Sequence, residues 1–310
     1  MAINKKIGKI RLASTGFTWV DIVHPTTNET AYLKRNYKFH DLDLEDCLSK
    51  NQRPKIDEYE DYLFLILHVP YRQHNGQIIS HEINIFVGLN FVITLHNDHK
   101  YLKKLFDKAR KNKEIKEKYM ARGNGYFLYM VINELFENCF PILDEIGEQI
   151  NDLEEDVFHF SNSRDRLKEI LMLKKDLINY RRIIIPQRSI IAQLEHKRKD
   201  FLSDNLEIYF DDIVDKIEKI WNNLENYQEL TRSLQETHEA IISHNTNNVI
   251  KILTVFSVVM LPLTFVTGFY GMNLSDLPFA EHSHSIYIVT GLIAIIMVSM
   301  IAFFRFKRWI

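Results

Sequence analysis

The spacing of hydrophobic and polar positions changes character twice along the 310 residues. Up to about position 97 the apolar residues fall in short runs rich in Val, Ile and aromatics, the pattern of strands. Tyr62–Val69 (YLFLILHV), Ile83–Val87 and Phe91–Leu95 read this way, with Gly88-Leu89-Asn90 as a hairpin turn between the last two. Phe17–Ile22 and the early KIRLA segment are further strand candidates, and Leu42–Leu48 reads as a short helix with Asp41 as its N-cap. Past position 98 strand signals vanish. Asp98–Lys118 is helical and basic, and Gly123-Asn124-Gly125 breaks the pattern. Tyr126–Phe160 and Arg164–Lys199 then predict two long antiparallel helices joined at Ser161-Asn162-Ser163, with Pro186 a candidate kink.

A third helical stretch starts at Asp204 and shows no stop before Tyr270. Ile213, Ile217, Ile220, Leu224, Tyr227, Thr231, Leu234 and Ile241 keep a near-heptad seam, which predicts packing against copies of the chain and hence a homo-oligomer. The last change is the sharpest. From Ile250 to Tyr270 only Lys251 is charged, and from Ser285 to Phe304 nothing is. About 20 apolar residues span a bilayer as a helix, so the two stretches predict a transmembrane hairpin. The intervening loop holds Asp276 and Glu281 without Lys or Arg, whereas the tail holds Arg305, Lys307 and Arg308. The positive-inside rule then places the tail, and with two spans the N-terminal region too, in the cytoplasm.

Composition alone would mislead, since 26% charged residues and a net charge of -2 suggest a soluble protein. The charge is in fact segregated: residues 100–122 hold ten Lys/Arg against three acids, and residues 204–240 hold ten acids against three bases. Acidic walls of the second kind concentrate cations. Two distant cysteines, Cys47 and Cys139, form neither a disulfide framework nor a zinc motif. The N-terminal residues lack a secretory apolar run, which leaves membrane targeting to the C-terminal spans. The first span carries a stripe of small and hydroxyl residues, Thr254, Ser257, Leu261, Thr264 and Gly268, that extends back to Asn247. Such a stripe serves either close helix packing or the lining of a watery path. No Gly-rich phosphate loop, paired catalytic carboxylates or His-x-x-x-His motif is apparent, so neither an enzyme nor a nucleic-acid partner is expected.

Tyr270-Gly271-Met272-Asn273 closes the first of the two spans, with Pro262-Leu263-Thr264-Phe265 before it and Phe306-Lys307-Arg308-Trp309 at the end. With His40–Leu48, Gln52-Arg53-Pro54-Lys55 and Tyr59–Leu67, this resembles the CorA family of magnesium transporters over nearly the whole chain. The resemblance implies a funnel-shaped homopentamer. Its parts would be an α+β cytoplasmic domain (1–125), a helical pair (126–203), a stalk helix (204–249), a pore-lining span (250–270), an outer loop (271–284), a second span (285–304) and a cytoplasmic tail (305–310). The expected setting is the plasma membrane.

The resemblance also implies roles. Gly271, Met272 and Asn273 would form the outer selectivity ring. Asn247, Leu253, Ser257, Leu261, Thr264 and Gly268 would line the pore. Asp46 and Asp212 would share a regulatory Mg²⁺ between subunits, and loss of that ion would let their carboxylates repel by roughly 4 kcal/mol at about 4 Å. The chain departs from the family's Met-Pro-Glu triad after the signature, so Asp276 and Glu281 become the candidates for attracting cations. The implied activity is passive, potential-driven Mg²⁺ uptake, with Mg²⁺ both cargo and regulator. Two readings stay open: a Zn²⁺, Co²⁺ or Ni²⁺ transporter of the same build, which His282 and His284 keep alive although the intact Gly-Met-Asn favours Mg²⁺, and a membrane-anchored sensor that conducts nothing.

Overall fold

In the computed structural model the described residues are 6–49, 52–73, 75–156, 163–195, 206–272, 278 and 284–309. The chain divides into two compact units, Met1–Leu234 and Gln235–Ile310.

The first unit is built on a six-stranded sheet in the order β1-β2-β6-β5-β4-β3. Its strands are β1 (Ile7–Arg11), β2 (Thr18–Val23), β3 (Lys55–Glu58), β4 (Tyr62–Arg72), β5 (Ile78–Gly88) and β6 (Phe91–His96). All neighbours are antiparallel except β2 and β6, which are parallel and register Trp19 with Val92 and Asp21 with Thr94. Both faces of the sheet are covered, which is why β4 reads as a continuous apolar run instead of an alternation. On one face Val20, Ile22, Phe64, Ile66, Phe86 and Ile93 pack with Leu33 of α1 (Thr27–Tyr37) and Leu44 of α2 (Asp41–Asp46). On the other, Trp19 is fully buried, with its ring 4.7 Å from Phe106 and 5.0 Å from Phe127.

Those two phenylalanines come from α3 (Lys100–Lys111) and α5 (Asn124–Glu137), separated by α4 (Lys113–Met120). The basic stretch is thus two helices, not one. Asn112 divides them, its side-chain oxygen accepting from the backbone N–H groups of Glu114 and Ile115. A buried polar chain sets the start of α3. Asp21 accepts from the Thr94 hydroxyl at 2.6 Å and lies 3.2 Å from His96. The His96 ring accepts from the His99 N–H at 2.7 Å, and His99, as N-cap, accepts from the Leu102 N–H at 3.3 Å.

The expected helical pair holds three helices among the described residues: α5, α6 (Phe140–Asp156) and α7 (Ser163–Glu195). Pro141 stands in the first turn of α6, where its missing N–H costs nothing but cannot extend α5. Pro186 lies inside α7 without dividing it. The N-cap of α2 is His40, not Asp41, because the His40 ring accepts from the Leu42 N–H.

α8 (Glu207–Tyr270) runs 64 residues through Pro262, and α9 (Ser285–Phe306) follows. The seam on α8 has a different partner from the one expected. Ile213, Ile217, Ile220, Leu224 and Leu234 are buried within the single chain. Arg181 of α7 bonds Gln228 and lies over Trp221, and the Tyr227 ring fills the space beside Gly147 of α6. From Ile213 to Leu234 the seam is core of the first unit, with Ile241 alone in the second, so oligomerisation has to rest on other grounds.

Candidate functional site

In the second unit α8 is exposed on nearly every side, its stripe of small and hydroxyl residues included. Asn247, Leu253, Ser257, Leu261, Thr264 and Gly268 are all exposed, Leu261 at 71%. Val255 and Leu263, on the side of the helix opposite that stripe, are buried, as is Phe304 of α9. The hydroxyls of the open stripe are satisfied locally: Ser257 donates to the Leu253 carbonyl and Thr264 to the Met260 carbonyl, both at 2.9 Å. Thr254 does the same to Ile250 at 2.7 Å. Each hydroxyl hydrogen is therefore turned back to the helix. What remains for any other group is the oxygen lone pairs, an arrangement that suits cations and not anions.

The helix ends at the signature. Gly271 donates to the Thr267 carbonyl at 2.9 Å, and a Cβ at Gly271 would meet that carbonyl at 3.1 Å, so a side chain there would crowd the helix end. Met272 is half exposed. Asn273, Asp276 and Glu281 lie outside the described residues, as does His282.

The candidate regulatory carboxylates belong to the first unit, and each holds a lysine of its own chain. Asp46 ends α2 and contacts the Lys55 ammonium at 2.7 Å; Lys55 also bonds Asp57. Asp212, near the start of α8, contacts Lys216 at 2.8 Å and accepts from the Tyr129 hydroxyl at 3.4 Å. Lys216 in turn reaches Glu137 at 3.0 Å and bonds Asn133, both on α5. Burial pulls the Lys216 ammonium down, but its bonds to Asp212 and Glu137 outweigh that and hold its pKa above the ordinary value. Lys55 is held up in the same way by Asp46 and Asp57 against its own desolvation.

Carboxylate oxygens are the hard donors that Mg²⁺ takes, and the Asp212 side chain is about half exposed (49%), so the donor chemistry fits that ion. Among the described residues no group of three or more His, Cys, Asp or Glu converges as a metal site. A further acid escaped the sequence reading: Asp43 is buried and accepts from the hydroxyls of Tyr59 at 3.0 Å and Tyr62 at 2.8 Å. Desolvation raises its pKa against those two bonds. The lysine partners were also missed, although Asp212 and Lys216 stand at the i,i+4 spacing that pairs charges on a helix.

Residues 14–308 match the family model for the CorA-like Mg²⁺ transporter protein. The chain belongs to the CorA family. It is a CorA-like divalent metal ion transporter, and a membrane protein by the same membership. YfjQ of Bacillus subtilis (strain 168) is 30% identical over 99% of the chain and 94% of its own length. The cobalt/magnesium transport protein CorA of Thermotoga maritima is 27% identical over 94% of the chain and 83% of its own length. The CorA magnesium transporter structure from Methanocaldococcus jannaschii superimposes with a TM-score of 0.84 at 24% identity, covering 95% of this chain and 92% of that one. This likeness carries the fold: an α+β soluble part, a long C-terminal helix and a second apolar helix. A zinc transport protein ZntB of Yersinia pseudotuberculosis also matches, at 21% identity over 61% of the chain and 57% of its own.

Proposed function

We propose that the chain is one subunit of a homopentameric Mg²⁺ channel of the plasma membrane, with both termini cytoplasmic. The observation that carries this reading is the exposed stripe of α8, where Asn247, Ser257 and Thr264 alternate with the apolar Leu253 and Leu261, and where Ser257 and Thr264 leave oxygen lone pairs outward. Copies arranged about an axis would turn those residues into alternating polar and apolar rings. Mg²⁺ gives up its water reluctantly. A ring of Asn273 amides at the outer mouth and weak oxygen sites in series would pass a largely hydrated ion, and the apolar rings would close the path by dewetting. The membrane potential supplies about 4.6 kcal/mol per divalent ion at 100 mV. Asp276 and Glu281 would raise the local cation concentration outside.

Asp46 and Asp212 are the regulatory carboxylates of this reading, facing each other across the subunit interface. A divalent ion there supplies positive charge between two negative groups and favours the closed, symmetric assembly. When it leaves, their repulsion returns and the subunits separate. Unchanged Mg²⁺ sensitivity in Asp212→Lys would contradict this arm. The ZntB relatives and the loop histidines favour a second reading, a Zn²⁺ or Co²⁺/Ni²⁺ path of the same build. Flux assays on the purified protein in liposomes, with an inside-negative potential and ion-specific indicators, separate the two. Mg²⁺ entry that exceeds Zn²⁺ and Ni²⁺ entry is expected; robust Zn²⁺ entry with none for Mg²⁺ would move the assignment to the softer ions.

A further inference from the structure

The Asp212 carboxylate is gripped by more than its helical neighbour. Tyr129, Asn133 and Glu137 stand one turn apart on α5, and all three face the same point on α8. Tyr129 bonds Asp212, while Asn133 and Glu137 hold the Lys216 ammonium that sits on Asp212 at 2.8 Å. An exposed Lys–Asp pair is ordinarily weak, because two long side chains must be ordered to make it. Here the ordering is done from the second helix. The Lys216 side chain is only 21% exposed, and two further acceptors fix its ammonium.

We infer that Lys216 is a built-in competitor for divalent ions at Asp212, and that it sets the concentration at which this carboxylate takes one. The inference rests on the reading of Asp212 as a regulatory ligand. A divalent ion arriving at Asp212 meets an ammonium already in contact with Oδ2. It must either displace that ammonium towards Glu137 and Asn133 or bind beside it against like-charge repulsion. In both cases Lys216 weakens binding, and Glu137 offers the displaced ammonium a place to go. Lys55 stands in the same relation to Asp46, with Asp57 as the alternative acceptor. Both carboxylates thereby keep a counter-charge when the ion is scarce, so the repulsion that returns and separates the subunits is smaller than that of two bare carboxylates.

The test is a Mg²⁺ titration of the purified full-length protein, followed by its thermal midpoint, which rises when an ion binds the folded state. Wild type is compared with Asp212→Asn, Lys216→Gln, Lys216→Arg and Lys219→Gln. Lys219, on the same helix, lies over the Phe140 ring, so it controls for loss of one positive charge without loss of this contact. The expected result is a wild-type response lost in Asp212→Asn, and half-saturation at roughly three- to tenfold lower Mg²⁺ in Lys216→Gln. Lys216→Arg and Lys219→Gln should stay within about twofold of wild type. If Lys216→Gln does not fold, Asn133→Ala, which removes one of the two α5 acceptors of the ammonium and leaves Glu137, should shift half-saturation without abolishing the response. An Asp212-dependent response whose midpoint ignores Lys216→Gln, or shifts equally in Lys219→Gln, overturns the role of Lys216 and leaves Asp212 regulatory. A wild-type response that Asp212→Asn does not alter overturns the reading of Asp212 itself.

Discussion

The two units treat the same kind of side chain in opposite ways. In the first, the large apolar residues are inside: Phe64, Phe86 and Trp19 have essentially no exposed surface. In the second they are outside: Phe265 is 71% exposed and Ile286 75%, and almost none of the most apolar window of either α8 or α9 is buried. The contrast shows that the first unit satisfies its hydrophobic residues within one chain, whereas the second depends on what surrounds it. A family of membrane transporters supplies that surrounding as lipid, and a further share would fall to neighbouring copies. The exposed polar stripe on α8 gains its meaning here. Ser257 and Thr264 satisfy their hydroxyls within the helix, so Asn247 is the residue on this face least suited to lipid, and under the proposed function the face would line water.

The comparison can be broken at matched residues. Phe64→Ala removes a fully buried ring and should cost about 3–5 kcal/mol, read as a large drop in the thermal midpoint of the full-length protein in detergent. Phe265→Ala, at the same side chain in the other environment, should change that midpoint by no more than about 0.5 kcal/mol in equivalent stability. Equal losses at both positions would show that Phe265 is held inside the protein. The second effect is on insertion. Ile295→Asp, in the middle of α9 and 69% exposed, should disfavour insertion by about 2.5–3.5 kcal/mol, seen as a smaller membrane-integrated fraction on expression. A more gradual effect, small within any one pH unit, belongs to the first unit alone. Burial, helped by His81 and His96, pushes the pKa of His99 from 6.5 down to about 3. Between those values the unfolded chain binds a proton that the folded chain refuses. Stability therefore falls as pH drops through this window, by up to about 1.4 kcal/mol per pH unit. His99→Asn keeps an acceptor at the cap of α3 and should flatten the pH dependence of the thermal midpoint; an unchanged slope would mean that His99 does not carry it.

How much was legible in the sequence followed the same division. The apolar helices α8 and α9 declared themselves because a bilayer demands long uncharged runs, and β4, β5 and β6 did so because both faces of the sheet are covered. α1 was missed: of its buried residues only Leu33 is apolar, the others being Glu29 and Thr30, so no helical period shows. β3, KIDE, is a partly exposed edge strand with no apolar alternation. The seam of α8 was read correctly as apolar but given the wrong partner, since a heptad pattern states that a face is buried without stating by what. At the candidate regulatory site the carboxylates were legible from the resemblance and their lysines were not. Lys216 stands one turn from Asp212 in sequence, but its anchors Asn133 and Glu137 are about 80 residues away.

The most direct test of the account is Mg²⁺ entry into liposomes carrying the full-length protein, wild type against Asn273→Ala, under an inside-negative potential. Entry is expected in wild type and should fall at least tenfold, by about 1.4 kcal/mol or more, in the variant. Entry that is undiminished in Asn273→Ala, or absent from wild type for every divalent ion tried, would contradict it.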